Sequence, residues 1–584
     1  MKELKYLFKF YKKYPWRFAT GIFFVVTSNI FALYPAIYTR KAFDAAKEAI
    51  ESSHGSYDFI NLTSILLYFG IMLILFALLK GLFMFFMRQT IIVMSRLIEF
   101  DLKNEIFNHY QKLDRAFYKK NNTGDMMARI SEDVTRVRMF LGPATMYPIN
   151  MLSLFVLVMY NMFSINVKLS LFVLAPLPIM SITIFFISKV IHTKSEKVQT
   201  QLSALSTLTQ ESFSGIRVLK SFVNEGANFS IFKSETNEYL KRNLSLAKTN
   251  AAFFPFMLLL IGLSTLLTIY IGGKESIAGN ISNGNIAEFI IYVNMLTWPM
   301  ASIGWVTSII QRASASQKRI NEFLNTKPEI NIEEGKIHNV QGKISFKNIN
   351  FKYPGSGIKA LDNVSFIIEK GQSIAIVGRT GSGKSTIVNL MCRMYKPTSG
   401  IIEIDDIAIE EINLASLRKE ISLVPQESLL FSDTISNNIA FGSKEKLTEE
   451  DIELAAIKSS IHENIKSFSK SYQTLVGERG VTLSGGQKQR ISIARALVRP
   501  TSILIFDDCL SALDNETEEK ILSSLKKEFK NKTTITISHR ISSIQNADKI
   551  IVLDKGKIAE IGTHSELFEK GEIYYEMYQQ QLSK

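Results

Sequence analysis

The sequence predicts two folds in series: an all-α membrane domain of six transmembrane helices with long cytoplasmic helical extensions, then an α/β domain built on a P-loop. Three observations predict this. Long apolar runs fill the chain up to about residue 310, and the remainder has the composition of an ordinary soluble α/β domain. Within that remainder, GRTGSGKS (Gly378 to Ser385) fits G-x-x-x-x-G-K-[ST], between a strand-like SIAIV and a helix-like TIVNLMCRMY. At 584 residues the chain is also too long for one core.

Charge and cysteine content narrow the classes. A net charge of +14 would suit a nucleic-acid binder, but many basic residues flank apolar runs, as in the cytoplasmic loops of a membrane protein. Six spans exclude a soluble nucleic-acid ATPase, and no nucleic-acid partner is expected. The two cysteines, Cys392 and Cys509, have no metal-binding spacing and are expected to be free, packed thiols.

The elements follow in order. Residues 1–17 (MKELKYLFKFYKKYPWR) are basic and amphipathic, and the apolar run behind them is too long for a cleavable signal. They read as an elbow helix on the membrane surface. Six segments reach the ~20 residues needed to cross ~30 Å of hydrocarbon. They lie near 18–39, 59–87, 139–163, 166–188, 250–273 and 284–310, within a membrane domain spanning 18–316. The N-terminus and the loops 88–138 and 189–249 are rich in Lys and Arg, which places them and both termini in the cytoplasm. Both loops keep helical periodicity, so their helices should run on beyond the bilayer. A polar linker, 317–341, leads to a nucleotide-binding domain, 342–584.

In the P-loop, Gly378, Arg379, Thr380, Gly381, Ser382 and Gly383 let the backbone curl its N–H groups around phosphates. Lys384 reaches the β/γ-phosphates, Ser385 offers a hydroxyl to Mg²⁺, and Thr386 opens a helix whose N-terminus faces the anion. Downstream, LSGGQ (Leu483 to Gln487) followed by KQRISIARAL resembles the signature of ATP-binding cassette (ABC) proteins. LDRAFYKKNNTGDMMARISEDV and ESFSGIRVLKSFVNE resemble the two intracellular loops of type I ABC exporters (the type IV transporter fold), whose short coupling helices dock onto nucleotide-binding domains.

The resemblance assigns further roles. Tyr353 matches the aromatic that stacks on adenine. Gln426, in SLVPQESLLF, matches the Q-loop, where an amide can meet Mg²⁺ or the attacking water. TLVGERG resembles the X-loop of exporters. ILIFDD ends in the Walker B carboxylates, with Asp507 on Mg²⁺. Ser511, Ala512, Leu513 and Asp514 match the D-loop, and His539 matches the switch histidine beside the γ-phosphate. Asp508 departs from the pattern, because most such ATPases carry Glu there to polarise water. Similar intrinsic pKa values leave basicity unchanged, so reach is the difference: one methylene less withdraws the carboxylate by ~1 Å, which can cost on the order of a hundredfold in rate.

The family implies a half-transporter working as a dimer, with ATP and Mg²⁺ as cofactors. Ser484, Gly485, Gly486 and Gln487, at a helix N-terminus, would complete the opposite subunit's ATP site. Homodimer and heterodimer both fit, and Asp508 favours a heterodimer with one degenerate site. The expected activity is ATP-driven export of a hydrophobic or amphipathic small molecule or lipid, through a bacterial inner-membrane protein. A lipid-linked flippase of the same fold is the alternative; an ATP-gated channel or regulator is the reading from another class. The family's leader-trimming peptide exporters carry an N-terminal cysteine-protease segment, and this N-terminus does not resemble one. Tyr34, Tyr38, Trp298 and Trp305 suit apolar cargo, but ordinary helix packing also accounts for them.

Overall fold

The computed structural model of this chain describes residues 3–52, 59–330, 334–477, 480, 482–511, 515–529 and 532–582. They form two compact units: residues up to 108 with 126–326, and residues 109–125 with those from 327 onward.

In the first unit a 3-10 turn (Glu3–Leu7) and a short helix (Phe8–Lys13) bury Leu4, Leu7 and Phe10. Their basic side chains pair with the helix Phe59–Lys112, Lys9 to Glu105 and Lys13 to Asp101, both at 2.7 Å. All six expected apolar segments lie in helices long and apolar enough to cross a membrane. These are Pro15–Ser52, Phe59–Lys112, Pro143–Ile165 after Val134–Leu141, Pro176–Ser214 after Val167–Leu174, Glu225–Ile277 and Asn283–Leu324. The 54 residues of Phe59–Lys112 extend ~80 Å at 1.5 Å per residue, far beyond the hydrocarbon. The helical periodicity read in the loops is this overrun. Asn166 makes the tight turn between the third and fourth spans, ending one helix and accepting from the Leu169 amide at 2.9 Å to cap the next. The last helix runs to Leu324, so residues 317–324, assigned to the linker from sequence, are helical.

Val158, Met162, Leu169, Val173, Phe289 and Tyr292 meet in the core of this unit. Beside them Glu288 is buried, accepting from the Tyr292 hydroxyl at 2.7 Å and pairing with Arg40 at 3.2 Å. One turn beyond Arg40, Asp44 accepts from the Ser282 hydroxyl at 2.9 Å and the Gly284 amide at 3.0 Å. First and last membrane helices are thus joined by charge. The second loop turns at the short helix Ile216–Ser221, where Phe213, Val218, Phe222 and Val223 are exposed.

The second unit has two sheets. Strands β1 (Ile344–Lys352), β2 (Lys359–Ile368), β4 (Ser399–Ile404) and β5 (Ile407–Ala408) form one, antiparallel, in the order β2-β1-β4-β5. The other has the order β10-β9-β3-β8-β7-β6, from β3 (Ser373–Gly378), β6 (Ile421–Val424), β7 (Ile503–Asp507), β8 (Thr533–Ile537), β9 (Lys549–Asp554) and β10 (Lys557–Gly562). Its pairs are parallel except β9 with β10. Every residue of β7 is buried, as its unbroken apolar run requires of a strand covered on both faces. A helical lobe around Ile435, Ile439, Ile452 and Ile491 has its own apolar cluster. Cys392 and Cys509 are buried and free, as expected, and burial pushes the Cys392 thiol up to about 12.

Residues 109–125 of the first loop belong to this unit. Asp114 caps the short helix Arg115–Lys120 by accepting from the Phe117 amide at 3.0 Å, while its other oxygen accepts from the Glu329 amide at 2.9 Å. Arg115 donates to the Asn389 side chain, and Ala116 packs on the sheet core.

Candidate functional site

The carboxyl ends of four neighbouring parallel strands supply the site, the place where open α/β sheets bind ligands. Strand β3 runs into the P-loop, β6 leads to Gln426, β7 ends at Asp507 beside Asp508, and β8 leads to His539. Two glycines are dictated by geometry. Gly378 has φ +150°, and a Cβ there would lie 2.1 Å from the Leu553 carbonyl oxygen. Gly383 has φ +105°, and its Cβ would lie 2.5 Å from the Ala360 carbonyl oxygen.

Lys384 is buried and folded back, donating to the carbonyls of Gly378 at 2.8 Å and Arg379 at 3.0 Å. Burial lowers its pKa, while the carboxylates of Asp508 and Asp507 act in the opposite sense. The Ser385 hydroxyl donates to Asp507 Oδ1 at 2.9 Å. Asp507 is held above the usual carboxylate range by burial, with Asp508 adding to it and the Ser385 hydrogen bond working against it. The Gln426 amide donates to Asp508 Oδ2 at 3.2 Å. Asp508 itself has φ +47°, its amide donates to the Ile537 carbonyl at 2.8 Å, and its carbonyl accepts from the Ser511 hydroxyl at 3.0 Å. The His539 carbonyl accepts from the Gln581 side-chain amide, whose oxygen accepts from the Ile541 amide at 2.8 Å.

These groups open on one cleft of about 440 Å³, within the range of small-molecule sites. Of the residues named from sequence, Tyr353, Thr380, Gly381, Gly383, Lys384, Ser385, Thr386, Gln426, Asp507, Asp508 and His539 line it. Gly378, Arg379 and Ser382 belong to the loop behind, with Arg379 turned 3.8 Å from Glu576. Tyr353 bonds its hydroxyl to Thr386 Oγ1 at 2.9 Å and meets Phe351 edge-on, with ring centroids 4.9 Å apart. Among the described residues no cluster of three His, Cys, Asp or Glu could hold a metal. A hydroxyl, an amide and one or two carboxylates beside a phosphate cradle nevertheless form the donor set that Mg²⁺ takes together with substrate phosphates and water.

The signature residues do not reach this cleft. Ser484 caps the helix Gly485–Leu497, accepting from the Gln487 amide at 3.3 Å while the Gln487 side chain accepts from the Ser484 amide at 3.0 Å. Of the D-loop only Ser511 is described; Ala512, Leu513 and Asp514 lie outside the described residues, as do Glu478 and Arg479 of the X-loop. Sequence reasoning missed Ile358 and Lys359, although the β1–β2 turn that returns the Ile358 carbonyl to the Tyr353 amide at 3.0 Å carries them in. It also missed Lys119, which no local pattern announced.

Residues 18–300 match the family of the ABC transporter transmembrane region, and residues 361–511 match the ABC transporter family. A probable multidrug resistance ABC transporter ATP-binding/permease protein of Bacillus subtilis is 34% identical over 580 residues, covering 99% of this chain and 97% of that protein. An ATP-dependent lipid A-core flippase of Vibrio vulnificus is 31% identical over 587 residues, covering 100% of this chain and 98% of the flippase. The structure of a bacterial Atm1-family ABC exporter with ATP bound aligns with a TM-score of 0.77 at 26% identity, covering 97% of this chain and 98% of that one. Six membrane helices joined to one cassette ATPase place this chain in the ABC transporter family, as a half-size, multi-pass exporter that couples ATP hydrolysis to transport.

Proposed function

We propose that the chain is one half of a dimeric exporter of hydrophobic or amphipathic molecules, drug-like or lipid-like, in a bacterial inner membrane with both termini cytoplasmic. One observation carries the dimer: the P-loop, Gln426, Asp507, Asp508 and His539 meet in one cleft, while the signature sits at a helix N-terminus elsewhere. A second copy, or a sister chain, supplies that helix end to the γ-phosphate. The exposed apolar tip of the second loop, around Phe222, offers itself to the partner's ATPase domain.

In the cleft, Tyr353 stacks on adenine and Lys384 exchanges the P-loop carbonyls for the β/γ-phosphates. Ser385, Asp507 and Gln426 are the residues that would hold Mg²⁺. The ion, when bound, neutralises charge developing on the phosphates. Asp508 orients and deprotonates water, and His539 contacts the γ-phosphate. ATP closes the dimer because it binds the closed state more tightly, and closure reaches the membrane helices through the loop tips. Asp508, one methylene shorter than the usual acid, makes this chain's own site slow. That favours a partner that carries Glu at the equivalent position. The lipid-like reading draws on the flippase relative and the drug-like reading on the multidrug relative.

The test is reconstitution of the full chain in liposomes. Fluorescent amphiphile and labelled lipid should each be tried as cargo, with the Lys384→Ala chain as background. Cargo-stimulated hydrolysis with vectorial movement supports the pump; ATP-gated ion flux without vectorial cargo movement rejects it.

A further inference from the structure

We propose that Lys119, on the first-loop helix Arg115–Lys120, competes with the purine base for the face of Tyr353, making this loop a sensor of nucleotide occupancy. The Lys119 ammonium lies over the Tyr353 ring, 4.4 Å from its centroid. Both residues line the nucleotide cleft. The rest of the ring is spoken for. Its hydroxyl is bonded to Thr386, and Phe351 and Tyr395 meet it at right angles with centroids 4.9 and 5.5 Å away. Among the described residues no carboxylate pairs with Lys119, so the ring is the partner that holds its charge. A base stacked on this face would occupy the position of the ammonium, and the two cannot share it.

The inference rests on Tyr353 being the base-stacking residue. Its helix is held to the same unit by the Asp114 cap and by Arg115 on Asn389, so a shift at Lys119 is felt by a segment continuous in chain with the helix Phe59–Lys112. Coupling of this kind is reciprocal: whatever drives the lysine off the ring favours nucleotide, and nucleotide favours release of the lysine. A cation–π contact at an exposed site is worth ~0.5–1 kcal/mol, so removing it should tighten nucleotide binding by about 2- to 5-fold.

The experiment measures equilibrium binding to the full-length protein in nanodiscs, with chelator present to prevent hydrolysis. The ligands are ATP and inorganic tripolyphosphate, which has no base. Lys119→Ala should tighten ATP by about 2- to 5-fold and leave tripolyphosphate unchanged, and Lys119→Arg should restore the wild-type ATP affinity. In a Tyr353→Ala background, Lys119→Ala should have no further effect. If Tyr353→Ala weakens ATP but Lys119→Ala leaves it unchanged or weakens it, the competition is wrong and the stacking stands. If Tyr353→Ala itself leaves ATP affinity unchanged, the stacking fails and the competition falls with it.

Discussion

Changing Asp508 gives the sharpest division between the two dimers. Its carboxylate is buried, lies 3.2 Å from the Gln426 amide and sits on the strand end that carries Asp507. A positioned general base contributes ~10²–10⁴ in rate, or about 3–5 kcal/mol of barrier. If this chain forms a homodimer, Asp508→Ala removes the base from both sites, and turnover should fall by ~10²–10⁴. In a heterodimer whose partner carries Glu, the partner's site does most of the work, and the same change should cost less than about twofold. Asp508→Glu adds back ~1 Å of reach and should raise the rate of this site toward the hundredfold that such a misplacement can cost. It also places a longer side chain at φ +47°, a conformation Asp tolerates better than most residues, so melting temperature should fall as rate rises. The assay is phosphate release from the full chain in nanodiscs, alone and with its candidate partner, against Lys384→Ala as zero. Robust hydrolysis by the chain alone, lost in Asp508→Ala, would refute the slow-site reasoning. A lower rate in Asp508→Glu would refute the argument from reach.

Other outcomes test the remaining assignments. Lys384→Ala should abolish ATP binding or nearly so, and Tyr353→Ala should weaken it by ~1–3 kcal/mol, read by equilibrium titration; full affinity in both variants rejects the site. Asp507→Asn should abolish Mg²⁺-dependent hydrolysis yet raise the melting temperature of the nucleotide-free protein at neutral pH. Because its folded-state pKa is raised, ionised Asp507 destabilises the fold above the ordinary carboxylate range. That penalty vanishes as pH falls below ~4, so the gain from Asn should shrink toward acid in a melting series. Single cysteines at Lys47 and Lys120 should label from opposite sides of the membrane, Lys120 only after the cytoplasmic face is opened; labelling of Lys120 in intact cells would reverse the topology.

Most of the site was legible because its chemistry lies in contiguous strings. The P-loop, ILIFDD and the apolar strand before His539 each place a reactive group directly after a buried strand, and parallel pairing of β3, β6, β7 and β8 brings those ends together. The six spans were legible from length and hydropathy alone. Lys119 was not, because its nearness to Tyr353 depends on how a loop folds back over more than two hundred residues of chain. The helical stretch 317–324 was also misread. Its polar QKRINEFL looks like linker, but Ile320 and Phe323, three apart on one helix face, are buried in the packed end of the last helix. The αL backbone of Asp508 could not be seen in the string ILIFDD either, since nothing before it breaks the strand pattern.

The charge link between the first and last membrane helices sets a threshold on motion. Glu288 is almost wholly withdrawn from solvent, and Arg40 reaches it from the other helix. Parting these helices would leave a carboxylate stranded in a poorly polarisable surrounding, at a cost of about 3–5 kcal/mol. A small fluctuation cannot supply that, so the two helices either travel together or separate only when water or a new cation takes Arg40's place. The Arg40–Glu288 end of the bundle therefore behaves as a latch with a defined release energy rather than as a soft hinge. Its key is any event that hydrates a single buried acid.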